Sequence, residues 1–478
     1  MRPYWWLGVI ALLFIAFLGN RGLNEPDEGR YAEIAREMAA GGDWLIPHLN
    51  GFPHFQKPPV MYWATASAIT VLGVNEWAVR LVPALAGFGI VLMTFFVGRR
   101  LFGETAGRNA ALILASSLEF FLMARSLTPD MLMAFFIVLA IASFVFRRNW
   151  LFFVAMGLGF MTKGPMALVV PLAAAICWEI AARGKPEARK LPWVRGMLIT
   201  LAIATSWFIV ISLRDKSLVD YFLKYELVER FASKTHGRSQ PFWFYLPVLL
   251  LGLFPWSLLG LRVLRKGWLW VRTHPLAPHH IFLAGWIVIP FLILTCSGSK
   301  LVTYVLPLLP AFAIVLGVGF ARVNSRMLLW AVPPTMILWL AIAAYAPFFE
   351  SKLGRQTSVR YLARVAESHP DAVGARFFTS GARVHGMEFY LKRLVTTTKA
   401  DADIVLPLDV EESARVFKNS KALAKEFTRG KKEPAIGITE KELYGPVFKV
   451  DEWHEIAASG DFLLISNAPA RQGAVVTP

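Results

Sequence analysis

The stretch NEPDEGRYAEIAREMAAGGDW, Asn24 to Trp44, sets two adjacent carboxylates, an arginine and a tyrosine directly behind the apolar run WWLGVIALLFIAFLG. Tyr31, Ile34, Ala35 and Met38 recur at the spacing of an amphipathic helix lying on a membrane, so Asp27, Glu28, Arg30 and Tyr31 fall in its first turn. The bland role for Asp27 is a helix N-cap. Its neighbours suggest more. In HFQKPPVMYW, His54 to Trp63, Lys57 follows Gln56 and precedes a proline pair in apolar surroundings. Asp130 in SLTPDM opens an apolar run behind Thr128 and Pro129, where a helix dipole favours an acid. Lys163 in MTKGP lies in a very short turn between two apolar runs, a place from which a lysine snorkels. Arg230 in YELVERF, Arg238 in HGRSQPFWFYLP, and Lys300 and Tyr304 in SGSKLVTYVLPLLP complete the set. The cations suit an anionic lipid headgroup, Lys as a point charge and Arg as a bidentate fork on phosphate. The carboxylates suit an acceptor that has to be oriented or deprotonated, or a cationic centre forming in a sugar ring.

These residues need apolar elements to hold them. The 478-residue chain is 56% hydrophobic and carries 17 tryptophans, a composition of a membrane protein. Segments of about 20 apolar residues begin near Tyr4, Trp77, Ala106, Thr128, Trp150, Pro165, Gly196, Phe242, Ile281, Leu301 and Met327, which predicts about eleven transmembrane helices. With the N-terminus in the cytoplasm, Arg99 and Arg100, Arg147 and Arg148, the RGKPEARK and RVLRK clusters, and Arg322 with Arg326 all fall on cytoplasmic loops. That satisfies the positive-inside rule and explains the net charge of +17 without nucleic acid. The first run lacks a small-residue cleavage site and is read as a retained helix. Cys177 and Cys296 fall on different apolar segments and suggest neither a disulfide nor a metal site.

This topology makes residues 1–346 a membrane domain whose long outer loops, 20–76 and 214–241, carry most of the polar residues above. Residues 347–478 form a tail on the same outer side, the periplasm of a Gram-negative cell. Its short runs ARFFTS, DIVLPL and DFLLIS read as strands and VEESARVFKNSKALAKEF as helix, which predicts a small α/β unit. The DxD of Asp401 to Asp403 precedes a strand of that tail and is not assigned to catalysis.

The ordered blocks NEPDEGRYAEIAREM, GDW, FQKPP, TPD, TKGP, ERF with PFWFYLPVLLLGLFPW, and SKLVTYVLPLLP resemble the aminoarabinose (4-amino-4-deoxy-L-arabinose) lipid A transferases. These are GT-C glycosyltransferases related to the protein O-mannosyltransferases, and the resemblance runs from about Met1 to Leu340. It implies an enzyme of the bacterial inner membrane that moves a sugar from undecaprenyl phosphate to lipid A or another periplasmic acceptor. By that resemblance Asp27 and Asp130 are the essential carboxylates, and Lys57 and Arg230, with Tyr304 beside them, hold the donor phosphate. Glu28, Arg30, Tyr31, Gln56 and Lys163 fall on motif positions and are assigned to substrate binding. Gln56 stands where the family more often has Glu, and the outer domain is short for the family. A polyprenyl-phosphate donor accounts for the lack of a Gly-rich nucleotide loop, since nucleotide sugars stay in the cytoplasm. No cofactor is expected, and a divalent metal is not indicated.

Two rivals follow from the same residues. A protein O-mannosyltransferase shares the carboxylate motif and the lipid-phosphate donor, but FQKPP and SKLVTYVLP fit the aminoarabinose branch better. A lipid-linked glycan transporter or flippase would place polar residues midway along broken helices, whereas these helix interiors are almost free of charge.

Overall fold

The computed structural model describes residues 4–222, 240–323, 325–352, 358–402, 410–429 and 434–468. Among these, five helices are long and apolar enough to cross a membrane: Glu76–Phe102, Trp193–Arg214, Pro278–Cys296, Val302–Val323 and Arg326–Phe348. The apolar helices Trp5–Ile15, Val60–Leu72, Pro129–Val145 and Met166–Ala181 are shorter. Val60–Leu72 lies within residues 20–76, where the hydropathy pattern predicts an outer loop. The apolar runs do begin helices where expected, as at Glu76, Pro129 and Asn149. Several are broken. The run from Ala106 divides into helices Glu104–Ala115 and Leu118–Met123, because the hydroxyls of Ser116 and Ser117 donate back to the carbonyls of Leu112 and Ile113 (2.5 and 2.7 Å) and compete with the helix. The run from Phe242 divides into Tyr245–Gly252 and Trp256–Leu259 around Pro255. The run from Leu301 starts as the 3-10 segment Val302–Leu308, with Pro307 unable to donate, before it continues as Leu309–Val323.

The chain separates into two compact units. The first contains the described residues of Met1–Ala16, Gln56–Met61 and Arg80–Ile342. Its helices meet through small residues: a methyl group on Gly317 would come within 2.7 Å of the Ala106 carbonyl and the Ala110 nitrogen. Helices Leu309–Val323 and Glu104–Ala115 therefore touch backbone to backbone, which suits a setting where dispersion drives helix association. The indoles close the breaks in the helices. Trp256 donates to the Ser116 hydroxyl (3.0 Å), Trp339 to the Ser116 carbonyl (2.8 Å) and Trp286 to the Pro307 carbonyl (2.9 Å). Cys177 and Cys296 are both free.

The second unit contains the described residues of Phe17–Phe55, Tyr62–Val79 and Ala343–Pro478. Its centre is a four-stranded mixed sheet in the order Arg376–Ser380, Ala435–Glu440, Phe462–Ser466, His454–Ser459, the first pair parallel and the others antiparallel. Strand alternation sends Phe377 into a cluster with Leu362, Met387 and Ile438, and Phe378 into the opposite one with Phe427, Trp453 and Ile465. ARFFTS and DFLLIS are strands as read; DIVLPL lies outside the described residues. VEESARVFKNSKALAKEF is not one helix. It forms Val410–Ala414, the two-residue strand Val416–Phe417 and Ser420–Arg429, because Val416 and Phe417 pair with Thr397 and Thr398 and the Asn419 side chain accepts from the Ala422 N–H (2.9 Å).

Within this unit the stretch that carries helix Asp27–Gly41 packs on the tail. Helix Asp27–Gly41 forms as read, but its buried face, Ala32, Ile34, Ala35 and Met38 among others, is covered by protein, helix Gly386–Leu391. The Glu25 carboxylate accepts from the backbone N–H groups of His385 (3.0 Å) and Gly386 (2.8 Å). The Asn50 amide exchanges two 2.9 Å bonds with the Val395 backbone, and Arg360 pairs with Glu76 at 3.0 Å. Asp401 of the DxD accepts from the Gly381 N–H and the Thr398 hydroxyl, so it shapes a turn.

Candidate functional site

In the first unit, Pro129 and Asp130 begin helix Pro129–Val145, and the neighbouring helix Asn149–Lys163 ends on Lys163. Short connections run these helices antiparallel, which brings the end of one beside the start of the other. Lys163 Nζ donates to Asp130 Oδ1 at 2.5 Å, with the side chains 15% and 6% exposed. The same ammonium lies 5.1 Å from the centre of the Tyr304 ring, presented by the 3-10 segment Val302–Leu308. Lys163 thus turns inward to neutralise Asp130, and the snorkelling role is not the one it takes. Half-buried Lys57 donates to the Gln56 carbonyl (3.1 Å) just ahead of Pro58 and Pro59. Lys300 is buried and closes a loop by donating to the carbonyls of Ser297 (2.7 Å) and Gln240 (3.1 Å). Tyr304 is therefore gathered with Lys163 and Asp130; Arg230 and Arg238 lie outside the described residues.

Sequence reasoning passed over Glu119. It sits on the short helix Leu118–Met123, 6% exposed, and neither of its carboxylate oxygens has a hydrogen-bond partner among the described residues. A signal was present in ASSLEFFLM, one acid alone in an apolar run.

In the second unit, helix Asp27–Gly41 starts at Asp27 with Pro26 in the N-cap position, and no side chain caps it. Asp27 is the first helical residue, and the bland N-cap role does not hold. It pairs with Arg30 at 2.6 Å and remains 62% exposed. The Arg30 guanidinium lies 5.7 Å from the Tyr31 ring centre, and Tyr31 packs on Tyr62 with centroids 6.3 Å apart. Glu28 is directed elsewhere: it is buried, paired with Arg21 at 2.6 Å, and accepts from the Asn24 N–H. Beneath the helix lies an acidic cluster that the amphipathic pattern did not reveal. Glu33 is fully buried in a two-bond pair with Arg36 (2.7 Å each). Burial, and then the charge of Glu388, raise the Glu25 carboxyl well above the usual range, and burial raises Glu33 likewise. Glu388 is pushed up to about 8, again chiefly by burial. Among the described residues, no three His, Cys, Asp or Glu side chains converge as a metal site requires.

The same architecture occurs in known proteins. ArnT from Cupriavidus metallidurans, solved bound to undecaprenyl phosphate, superposes with a TM-score of 0.79 at 22% identity, covering 99% of this chain and 98% of that one. An archaeal oligosaccharyltransferase from Archaeoglobus fulgidus shares the fold more loosely, with a TM-score of 0.52 at 14% identity over 92% of this chain and 70% of its own. In sequence, the undecaprenyl phosphate-alpha-4-amino-4-deoxy-L-arabinose arabinosyl transferase of Aeromonas salmonicida is 34% identical over 325 residues, 65% of this chain and 59% of the relative. A Sodalis glossinidius transferase of the same description is 36% identical over 335 residues, 67% of this chain and 60% of the relative. The chain is a relative of the aminoarabinose transferases. It spans about 60% of the length of these curated relatives. Residues 56–209 also match the family described as dolichyl-phosphate-mannose-protein mannosyltransferase, a stretch containing Gln56, Lys57, Glu119, Asp130 and Lys163.

Proposed function

We propose that this chain is a glycosyltransferase of the bacterial inner membrane that moves an aminoarabinose-like sugar from undecaprenyl phosphate to lipid A or another periplasmic acceptor. The observation that supports it most is the ArnT fold over the full chain, together with sequence identity above 30% to several arabinosyl transferases. In this reading the membrane part, residues 1–346, makes about eleven crossings from a cytoplasmic N-terminus. Loops 20–76 and 214–241 and the tail from residue 347 onward lie in the periplasm.

The reaction is a displacement at the anomeric carbon. The bond from that carbon to the donor phosphate oxygen breaks, undecaprenyl phosphate leaves with the electron pair, and an acceptor oxygen forms the new bond. Lys57 and Arg230 neutralise the charge that grows on the leaving phosphate, the electrostatic term that most often dominates such catalysis. Asp27, exposed and in need of only a side-chain rotation to leave Arg30, orients a phosphate acceptor or takes the proton of a hydroxyl acceptor. Asp130, paired with the Lys163 ammonium that lies over the Tyr304 ring, contributes a negative charge fixed in place. Arg30 and Tyr31, with Glu28 behind them and Gln56 beside Lys57, position substrate.

The match of residues 56–209 to mannosyltransferases favours protein O-mannosylation as a second reading. Mass spectrometry of lipid A and surface proteins from a deletion strain separates the two. Loss of aminoarabinose from lipid A is expected; intact lipid A with loss of O-linked hexose from proteins would select the mannosyl reading.

A further inference from the structure

An unpaired carboxylate in a protein interior is costly and needs a reason. Glu119 is 6% exposed, both its oxygens lack partners among the described residues, and its Oε2 occupies the space where a side chain on Gly252 would be. The helix that carries it packs against the Val302–Leu308 segment that presents Tyr304, and the helix that Asp130 begins packs against the same segment. Asp130 is already committed to Lys163, so Asp130, Glu119 and Lys163 together carry one negative charge in excess when both acids are ionised. An ammonium brought by a ligand would balance that charge. Resting on the functional reading above, we propose that Glu119 accepts the ammonium group of the amino sugar on the lipid donor and so selects an amino sugar over its hydroxyl counterpart.

The chemistry is complementary. A 4-amino-4-deoxy sugar carries an ammonium with three N–H donors at neutral pH, and a carboxylate with two free oxygens is an acceptor of opposite charge that a hydroxyl exploits only weakly. A site built to bond a charged donor rejects the analogue that lacks it, because its own buried group is then left unpaired. The adjacent Gly252 lets the carboxylate sit where it does; a larger residue there would displace it.

The test uses the purified full chain in lipid nanodiscs with two undecaprenyl-phosphate donors, one bearing 4-amino-4-deoxyarabinose and one bearing arabinose with a hydroxyl at that carbon. Transfer to lipid A is followed by mass spectrometry. The wild type is expected to prefer the amino donor, chiefly through a lower KM, and Glu119→Gln to reduce that preference by roughly 10- to 100-fold. Gly252→Ala, which sets a methyl against the same oxygen, is expected to weaken the preference too and carries the test should Glu119→Gln fail to insert. Equal use of both donors by the wild type, or an unchanged preference in a folded Glu119→Gln or Gly252→Ala enzyme, overturns the assignment of Glu119 alone. Transfer from neither donor by the wild type overturns the functional reading and this inference with it.

Discussion

Two carboxylate–cation pairs, one in each compact unit, share their chemistry and differ in solvent. Asp130 is buried and Lys163 largely so, the two joined at 2.5 Å with the ammonium against an aromatic ring. Asp27 and Arg30 are one turn of helix apart, with the Asp27 side chain 62% exposed. Burial commits the first pair: neither group can leave without stranding a charge in a poor dielectric, so the pair acts as a fixed element of the scaffold. Exposure frees the second, since a surface ion pair is worth about 0 to 1 kcal/mol and its partners exchange readily for water or substrate. The carboxylate suited to proton transfer or acceptor contact is therefore Asp27, and the one suited to holding a field in place is Asp130.

The largest effect that would break this contrast is on stability. Lys163→Ala is expected to cost about 3 to 5 kcal/mol by leaving Asp130 buried and unpaired, with much of that cost recovered in Lys163→Ala combined with Asp130→Asn. Thermal unfolding in detergent measures it. Equal melting of the single variant and the wild type would make the buried pair no more structural than the exposed one. Asp27→Asn is expected to melt like the wild type while transfer falls by roughly 10² to 10⁴, the loss typical of acid–base assistance. Retention of about half the wild-type turnover would return Asp27 to the status of a surface charge. Lys57→Ala and Arg230→Ala are each expected to lower transfer by roughly 10- to 100-fold without loss of insertion, since each removes one charge-assisted phosphate contact worth about 1.5 to 3 kcal/mol. Full activity in both would mean that other groups hold the donor phosphate.

The smallest effect sharpens the contrast inside the second unit. Because burial raises the Glu388 carboxyl to about 8, the folded unit keeps a proton there that the unfolded chain gives up near the ordinary glutamate value. Stability from this group is therefore fully present below the unfolded pKa and is lost as pH rises through about 8. Glu37, Arg36 and Glu25 are the charged neighbours that surround it. Near pH 4, below the unfolded value, Glu388→Gln is expected to be nearly silent, the amide standing in for a neutral acid. As pH rises from there to about 8 the variant should hold its melting temperature increasingly better than the wild type. Parallel pH profiles for the two would show that Glu388 is already ionised in the fold.

Local rules made much of this legible in advance. Apolar runs placed helix starts at Glu76, Pro129 and Asn149, and short β-type runs gave strands Arg376–Ser380 and Phe462–Ser466. They did not give the breaks. Ser116, Ser117 and Pro255 interrupt helices through hydroxyls that bond back to carbonyls and a ring that cannot donate, effects of one or two atoms that a hydropathy window averages away. The amphipathic pattern of Asp27–Gly41 showed which face is buried but not that protein covers it, since lipid and protein ask for the same apolar spacing.

The sequence by itself determined the apolar helices, the basic loops and the candidate residues Asp27, Lys57 and Asp130, because hydropathy and charge spacing are properties of neighbours along the chain. Only the tertiary structure decided the partners. Lys163 meets Asp130 across 33 positions, Glu25 meets Gly386 across 361, and Glu119 meets no cation among the described residues. Pairing across such separations depends on which helices pack and in what register, and the energy of an ion depends on the dielectric that packing leaves around it.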